Sequence, residues 1–231
     1  MQSSVINSIR DAFSPYGSLA ASLLPKLSND SDGSHDLAHI LRVWGNVQVI
    51  QAEEGGNLDV LIAACLLHDC VSVEKNSPLR SQASCLAATR AHSLLLDQHW
   101  EPHQIEAVGH AIEAHSFSAR IEPRSLEARI LQDADRLDAI GAIGVARCFY
   151  VSGRLGQAFY DLSDPDAKGR PYDDSRYALD HFHTKLLSLA SGFKTVTGVQ
   201  LARIRHDKML RFVEEFRKEA GIVSHRGFAA I

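Results

Sequence analysis

Apolar positions recur at helical spacing along almost the whole chain, and strand-like alternation is hard to find anywhere. A first amphipathic segment runs from about Val5 to Leu27, followed by the cap-rich loop SNDSDGS. In HDLAHILRVWGNVQVIQAEE, Leu37, Leu41, Trp44, Val47 and Ile50 share one helical face, and GGN ends the helix. LDVLIAACLLH is apolar nearly all round, the pattern of a central buried helix. After the loop SVEKNSPLR, SQASCLAATRAHSLLLDQ predicts a helix whose small residues permit close packing. EPHQIEAVGHAIEAH predicts another, with proline in its first turn and Ile105, Val108 and Ile112 on one face. SLEARILQDADRLDAIGAIGVARCFYVSG predicts one long helix opened by Ser125 as N-cap. Within it, GAIG predicts a place where another helix approaches closely. LSDPDAKGRPYDD predicts a long, mobile loop. Helices around ALDHFHTKLLSLAS and from about Thr197 to Glu219 complete the pattern. No repeat, low-complexity tract or linker interrupts it, so a single all-α domain over residues 1–231 is expected.

Composition narrows the partners. The chain has 231 residues, 45% hydrophobic and 23% charged, enough for a genuine buried core. Lys+Arg number 24 against Asp+Glu 28, a net charge of -4. That balance offers no footprint for a nucleic acid duplex and no polybasic membrane patch. A small anionic substrate stays open, because a pocket can be basic on an acidic protein. MQSSVINSIR lacks the basic start and long apolar run of a signal peptide, and no apolar stretch reaches the roughly 20 residues that cross a bilayer. Cys65, Cys70, Cys85 and Cys148 lack zinc-type pairing and read as reduced, buried thiols, so a cytoplasmic location is expected.

The 12 histidines are more informative. His68 and Asp69 end the oiliest run in tandem; alone, such a pair reads as the polar end of a helix. Upstream, His35 and His39 lie one helical turn apart and share a face. Downstream come His110, His115 and the cluster Asp133, Asp135 and Asp138 in LQDADRLDAIG. Residues two apart project roughly 200° from each other, so Asp133 and Asp135 cannot both enter one coordination sphere. Ile130, Ala134, Leu137 and Gly141 define the core face, with Asp133 and Asp135 on its opposite margins. Periodicity does not choose between them. Asp138 lies nearer the middle and is expected to partner an arginine or a backbone group. His181 and His183 face opposite ways on a helix, and Cys70, with no base beside it, reads as a packed thiol.

His39 in HILRV, the tandem in LLHDC and Asp135 in DADRL, taken in order, resemble the HD superfamily of metal-dependent phosphohydrolases. The likeness continues through DHFHTKLL and covers about residues 34–205, to a bacterial branch that includes a nucleotide pyrophosphohydrolase. It implies the helical HD fold, with metal ligands His39, His68, Asp69 and Asp135; the family's last ligand follows Ala and precedes a basic residue and Leu, as Asp135 does. Asp133 is then expected to act behind the ligands, orienting a histidine. Two imidazoles and two carboxylates with open positions suit Mn, Fe, Co, Ni or Mg, and one ion is preferred over two. Adjacent residues point roughly 100° apart on a helix, so His68 and Asp69 reach one ion only near a helix end, which CVSVEKN supplies. The resemblance implies attack by metal-activated water on a small phosphorylated compound, expected to be a nucleotide. Asp69 would be ligand and base together, with Glu74 a further candidate base. His115 would stabilise the leaving group or bind a phosphate. Arg42, Lys75, Arg136 and Lys185 are the candidate phosphate contacts, with Lys75 also placed beside the chemistry. His35 would cap its helix or support the site. A simple phosphomonoesterase and a metal- or nucleotide-binding regulatory module are the alternatives.

Overall fold

A computed structural model describes residues 10–26, 37–71, 73, 77 and 79–222. Its helices are α1 (Gly17–Leu23), α2 (Leu37–Glu54), α3 (Leu58–Leu67), α4 (Ala83–Leu96), α5 (Pro102–His115), α6 (Leu126–Asp138), α7 (Gly141–Arg154), α8 (Ala178–Thr184) and α9 (Val196–Glu219). Among the described residues the sole extended pairing is an isolated bridge between Ala158 and Tyr177. The fold is all-α, as the periodicity predicts.

The chain divides into two compact units. One comprises Met1–Asp135 with Lys194–Gly198, the other Arg136–Phe193 with Val199–Ile231. In the first, α3 is the hub. Every residue from Val60 to Leu67 is buried, and α1, α2, α4 and α5 all pack against it. Asn57 caps its start, its side chain accepting from the amides of Asp59 at 2.9 Å and Val60 at 3.3 Å. α2 buries Ile40, Val43, Trp44, Val47 and Ile50, while Leu37 sits on its exposed edge.

Two elements differ from the periodic reading. The segment predicted as continuous from Val5 to Leu27 is helical at residues 10–12, turns, and resumes at Gly17. Pro15 has no amide to donate, and the backbone folds back so closely that a Cβ on Gly17 would collide with the Arg10 carbonyl. The long helix predicted from Ser125 onward begins as expected, with the Ser125 hydroxyl accepting from the Ala128 amide at 3.1 Å. It then breaks between α6 and α7. Gly141 adopts φ +74°, a conformation that side chains disfavour, and so ends the run that apolar spacing alone would continue. A Cβ there would also meet the Arg205 side chain at 3.0 Å, so the expected close approach at GAIG is present.

In the second unit, Phe149, Phe182, Phe212 and Phe216 from α7, α8 and α9 form a ring cluster with centroids 5.7–6.2 Å apart. The connection from α7 to α8 is the long loop expected at LSDPDAKGRPYDD. Asp161, Asp164 and Arg170 fold it on itself. Among the described residues no helix is long and apolar enough to cross a membrane.

Candidate metal centre

Four segments of the first unit bring lone-pair donors to one place. His39 comes from the first turn of α2, His68 and Asp69 from the turn closing α3, His115 from the last residue of α5, and Asp135 from α6. The tandem leaves the helix where it must: His68 is the C-cap, and the chain turns directly after it. The Nε2 atoms of His39 and His68 lie 3.2 Å apart. His39 Nε2 is 3.5 Å from Asp135 Oδ1 and 3.8 Å from Asp69 Oδ2. His68 Nε2 is 3.5 Å from the same Asp69 oxygen. The other Asp69 oxygen lies 3.7 Å from His115 Nε2.

The imidazoles of His68 and His115 are oriented by their own helices. Nδ1 of His68 faces the Cys65 carbonyl at 2.7 Å, and Nδ1 of His115 faces the Ile112 carbonyl at 2.6 Å. A carbonyl only accepts, so each Nδ1 carries the proton and Nε2 points into the cluster. Burial, opposed in part by Asp69, holds the His68 pKa below its ordinary value, which keeps its Nε2 lone pair available. His115 differs. Burial works against its charged form, but Asp69 and then Asp135 outweigh burial and raise its pKa.

This donor set fits a divalent cation. Histidine nitrogens and carboxylate oxygens, within 4.8 Å of one another, form the groups His39–His68–Asp135 and His68–Asp69–His115. At 3.2 Å the two facing Nε2 atoms can share at most one proton, so a cation between them relieves a lone-pair repulsion. The three imidazoles are buried, whereas Asp69 and Asp135 keep 33% and 29% of their side chains exposed. The cluster therefore opens on its carboxylate side.

His39, His68, Asp69 and Asp135 converge, and His115 joins them through Asp69. Asp133 is held by the backbone that leads into α9. Its oxygens accept from the Lys194 amide at 2.9 and 3.0 Å, the Thr195 amide at 2.7 Å and the Thr195 hydroxyl at 2.8 Å. It pins the start of α9. Asp138 has the expected arginine partner, Arg147, at 3.5 Å. His110 accepts from the Arg124 amide at 3.0 Å, which occupies its Nε2 lone pair. Cys70 donates to the Ala87 carbonyl at 3.4 Å, and burial pushes its thiol pKa up to about 11. It is a packed thiol.

The candidate phosphate contacts are more dispersed. Arg42 is half-buried on α2, three residues beyond His39. Arg136 belongs to the second unit, and its Nη1 donates to the Gly192 carbonyl at 2.5 Å. Lys185 is exposed just after α8, near Asp174, whose pKa is lowered first by hydrogen bonds from His181 and Thr184 and least by Lys185. His35, Glu74 and Lys75 lie outside the described residues. Two buried amides, Asn46 and Gln132, touch the elements of the cluster and were not singled out from the sequence. The available signal was a polar side chain at a core position: Asn46 lies seven residues after His39, on the same face of α2.

The HD domain family model matches residues 36–140, a stretch that contains all five clustered residues. Over 197 residues the chain is 34% identical to the uncharacterized protein YpgQ of Bacillus subtilis (strain 168), covering 84% of this chain and 87% of that protein. A HD-superfamily hydrolase from Bacillus thuringiensis superposes with a TM-score of 0.67 at 30% identity, over 96% of this chain and 99% of that one. Bacillus subtilis YpgQ in complex with ADP superposes with a TM-score of 0.67 at 31% identity, over 87% and 97%.

Proposed function

The chain belongs to the HD superfamily, and from that premise we propose that it is a metal-dependent hydrolase acting on a phosphate ester or anhydride of a small compound, with a nucleotide as substrate. The observation that carries the reading is the convergence of His39 and His68 Nε2 with carboxylate oxygens of Asp69 and Asp135. The ADP complex of the relative YpgQ favours a nucleotide over other phosphorylated compounds.

His39, His68, Asp69 and Asp135 hold one divalent ion in this proposal: Mn, Fe, Co, Ni or Mg. When bound, such an ion polarises a phosphoryl oxygen and acidifies water. The chain supplies the rest. Asp69, partly exposed and turned toward both ligand histidines and His115, takes the proton from the attacking water. His115, whose Nε2 lies 3.7 Å from Asp69 Oδ1, binds a phosphate or stabilises the departing oxygen. Glu74 and Lys75 follow the tandem closely enough in sequence to assist as base and phosphate contact. Arg42, Arg136 and Lys185 are the further proposed phosphate contacts; an alanine variant of a true contact raises KM or lowers kcat while metal content stays intact.

The test is a panel of nucleotides and phosphate esters with added Mn2+, read for both orthophosphate and pyrophosphate. Metal-dependent release of either product is expected, and which one appears separates phosphohydrolase from pyrophosphohydrolase chemistry. Tight nucleotide binding without turnover across the panel would make the chain a metal- and nucleotide-binding regulatory module instead.

A further inference from the structure

Two buried amides sit behind the cluster in the same relation to it. Asn46 on α2 donates Nδ2 to the carbonyl of Ala134 at 2.9 Å, and Ala134 immediately precedes Asp135. Gln132 on α6 donates Nε2 to the carbonyl of Ala114 at 2.6 Å, and Ala114 immediately precedes His115. Asn46 is 8% exposed and Gln132 is 3% exposed. Asn46 lies two turns beyond His39 on one helical face, and Gln132 lies one turn before Asp135. The bonds therefore run in series, from the His39 helix to the Asp135 helix and on to the His115 helix. We propose that Asn46 and Gln132 are positioning residues that set the separations between His39, Asp135 and His115. The proposal rests on the metal-site reading above.

The chemistry of Gln132 separates positioning from plain stability. The Ala114 carbonyl lies in the last turn of α5, where no helical amide follows to bind it. A carbonyl only accepts, so the amide must turn its NH2 group toward Ala114. Its Oε1 then faces away, buried and with no hydrogen-bond partner among the described residues. An unpaired buried acceptor opposes folding, whereas an apolar side chain of the same length would not. Gln132 is thus a poor choice for stability and a good one for holding the His115 turn at a fixed distance from α6. Side chains that fix metal ligands from behind typically change metal affinity 10–100-fold when removed.

Gln132→Met keeps the length and removes both the strut and the orphaned oxygen; Asn46→Leu keeps the approximate size and removes the other strut. Each variant is titrated with Mn2+ alone, melted in its metal-free form, and assayed on the nucleotide that the wild-type protein turns over best. Expected are a roughly tenfold or greater loss of Mn2+ affinity, a fall in kcat with KM little changed, and for Gln132→Met a metal-free Tm equal to or above wild type. Unchanged Mn2+ affinity and kcat beside a clearly lowered Tm would overturn the proposal and leave both residues merely structural. A separate readout covers failure of the metal-site reading. If wild-type protein takes up no Mn2+, that reading falls, and the imidazole resonances of His115 in the metal-free protein decide the strut by themselves. A shift in Gln132→Met supports it, and superimposable spectra sink it.

Discussion

Two polar clusters in this protein look alike in composition and differ in what they lack. The loop between α7 and α8 gathers Asp161, Asp164 and, from α8, Asp180 around Arg170. Asp161 accepts from the Tyr177 hydroxyl at 2.6 Å and from the amides of Ser163 and Asp164. Asp164 accepts from the amides of Lys168 and Gly169. Asp180, nearly fully buried, takes two bonds from the Arg170 guanidinium at 2.5 and 3.1 Å and one from the Asp173 amide. Each acid finds its donors within about twenty residues of chain. In the histidine–aspartate cluster, the converging atoms are themselves lone-pair bearers drawn from four distant segments. Count of carboxylates does not mark a cation site; mismatch between acceptors and donors does. The loop is completed by its own donors, whereas the cluster presents a donor set able to hold a cation.

The sharpest test of that contrast is to remove one acid from each. Asp135→Asn is expected to abolish Mn2+ retention together with hydrolysis, a loss on the order of a thousandfold or more in kcat. Metal analysis alongside the assay would break the comparison if Asp135→Asn kept both. Asp180→Asn should lower Tm while metal content stays at wild-type level, because it opens the Arg170 pairing and nothing in the cluster. Asp133→Asn sits between the two. It should cost about 1–3 kcal/mol of stability through the loosened start of α9, yet bind Mn2+ normally; denaturant unfolding and metal titration read the two effects apart. Loss of the ion in Asp133→Asn with retention in Asp135→Asn would reverse the assignment on α6.

Acid sharpens the comparison further. A protonated imidazole cannot ligate, and burial holds His68 below its ordinary 6.5. Mn2+ affinity is therefore expected to hold through neutral pH and to fall only as pH drops below that ordinary value, as followed by metal titration at fixed ionic strength. The sign is that of a depressed group: its neutral folded form is favoured above its unfolded pKa and lost as pH falls through the lower folded one. The smallest effect belongs to the loop. The Tyr177 hydroxyl, then the amides of Asp164 and Ser163, hold the Asp161 pKa down to about 2. Its contribution to stability is complete above 3.8 and is lost as pH falls from there toward about 2. Tyr177→Phe removes the leading cause and should move the acid unfolding midpoint slightly upward.

Helix identity, the buried character of α3 and the candidate set of histidines and acids were determined by the sequence alone, because a 3.6-residue period is a local signal that each helix carries by itself. The break at Gly141 was not legible. Apolar spacing runs through it, and the positive φ at Gly141, where α7 begins, belongs to the backbone path past Arg205. Nor could periodicity choose between Asp133 and Asp135, which flank one face symmetrically; the resemblance to the HD superfamily favoured Asp135. Tertiary structure then assigned Asp133 to amides 61 and 62 residues away. It also set His115 against Asp69 and placed Asn46 and Gln132 behind the cluster. A helical face says only that a side chain points inward; which atoms it meets there depends on how other helices cross it, and that crossing is set by the packing of the whole unit.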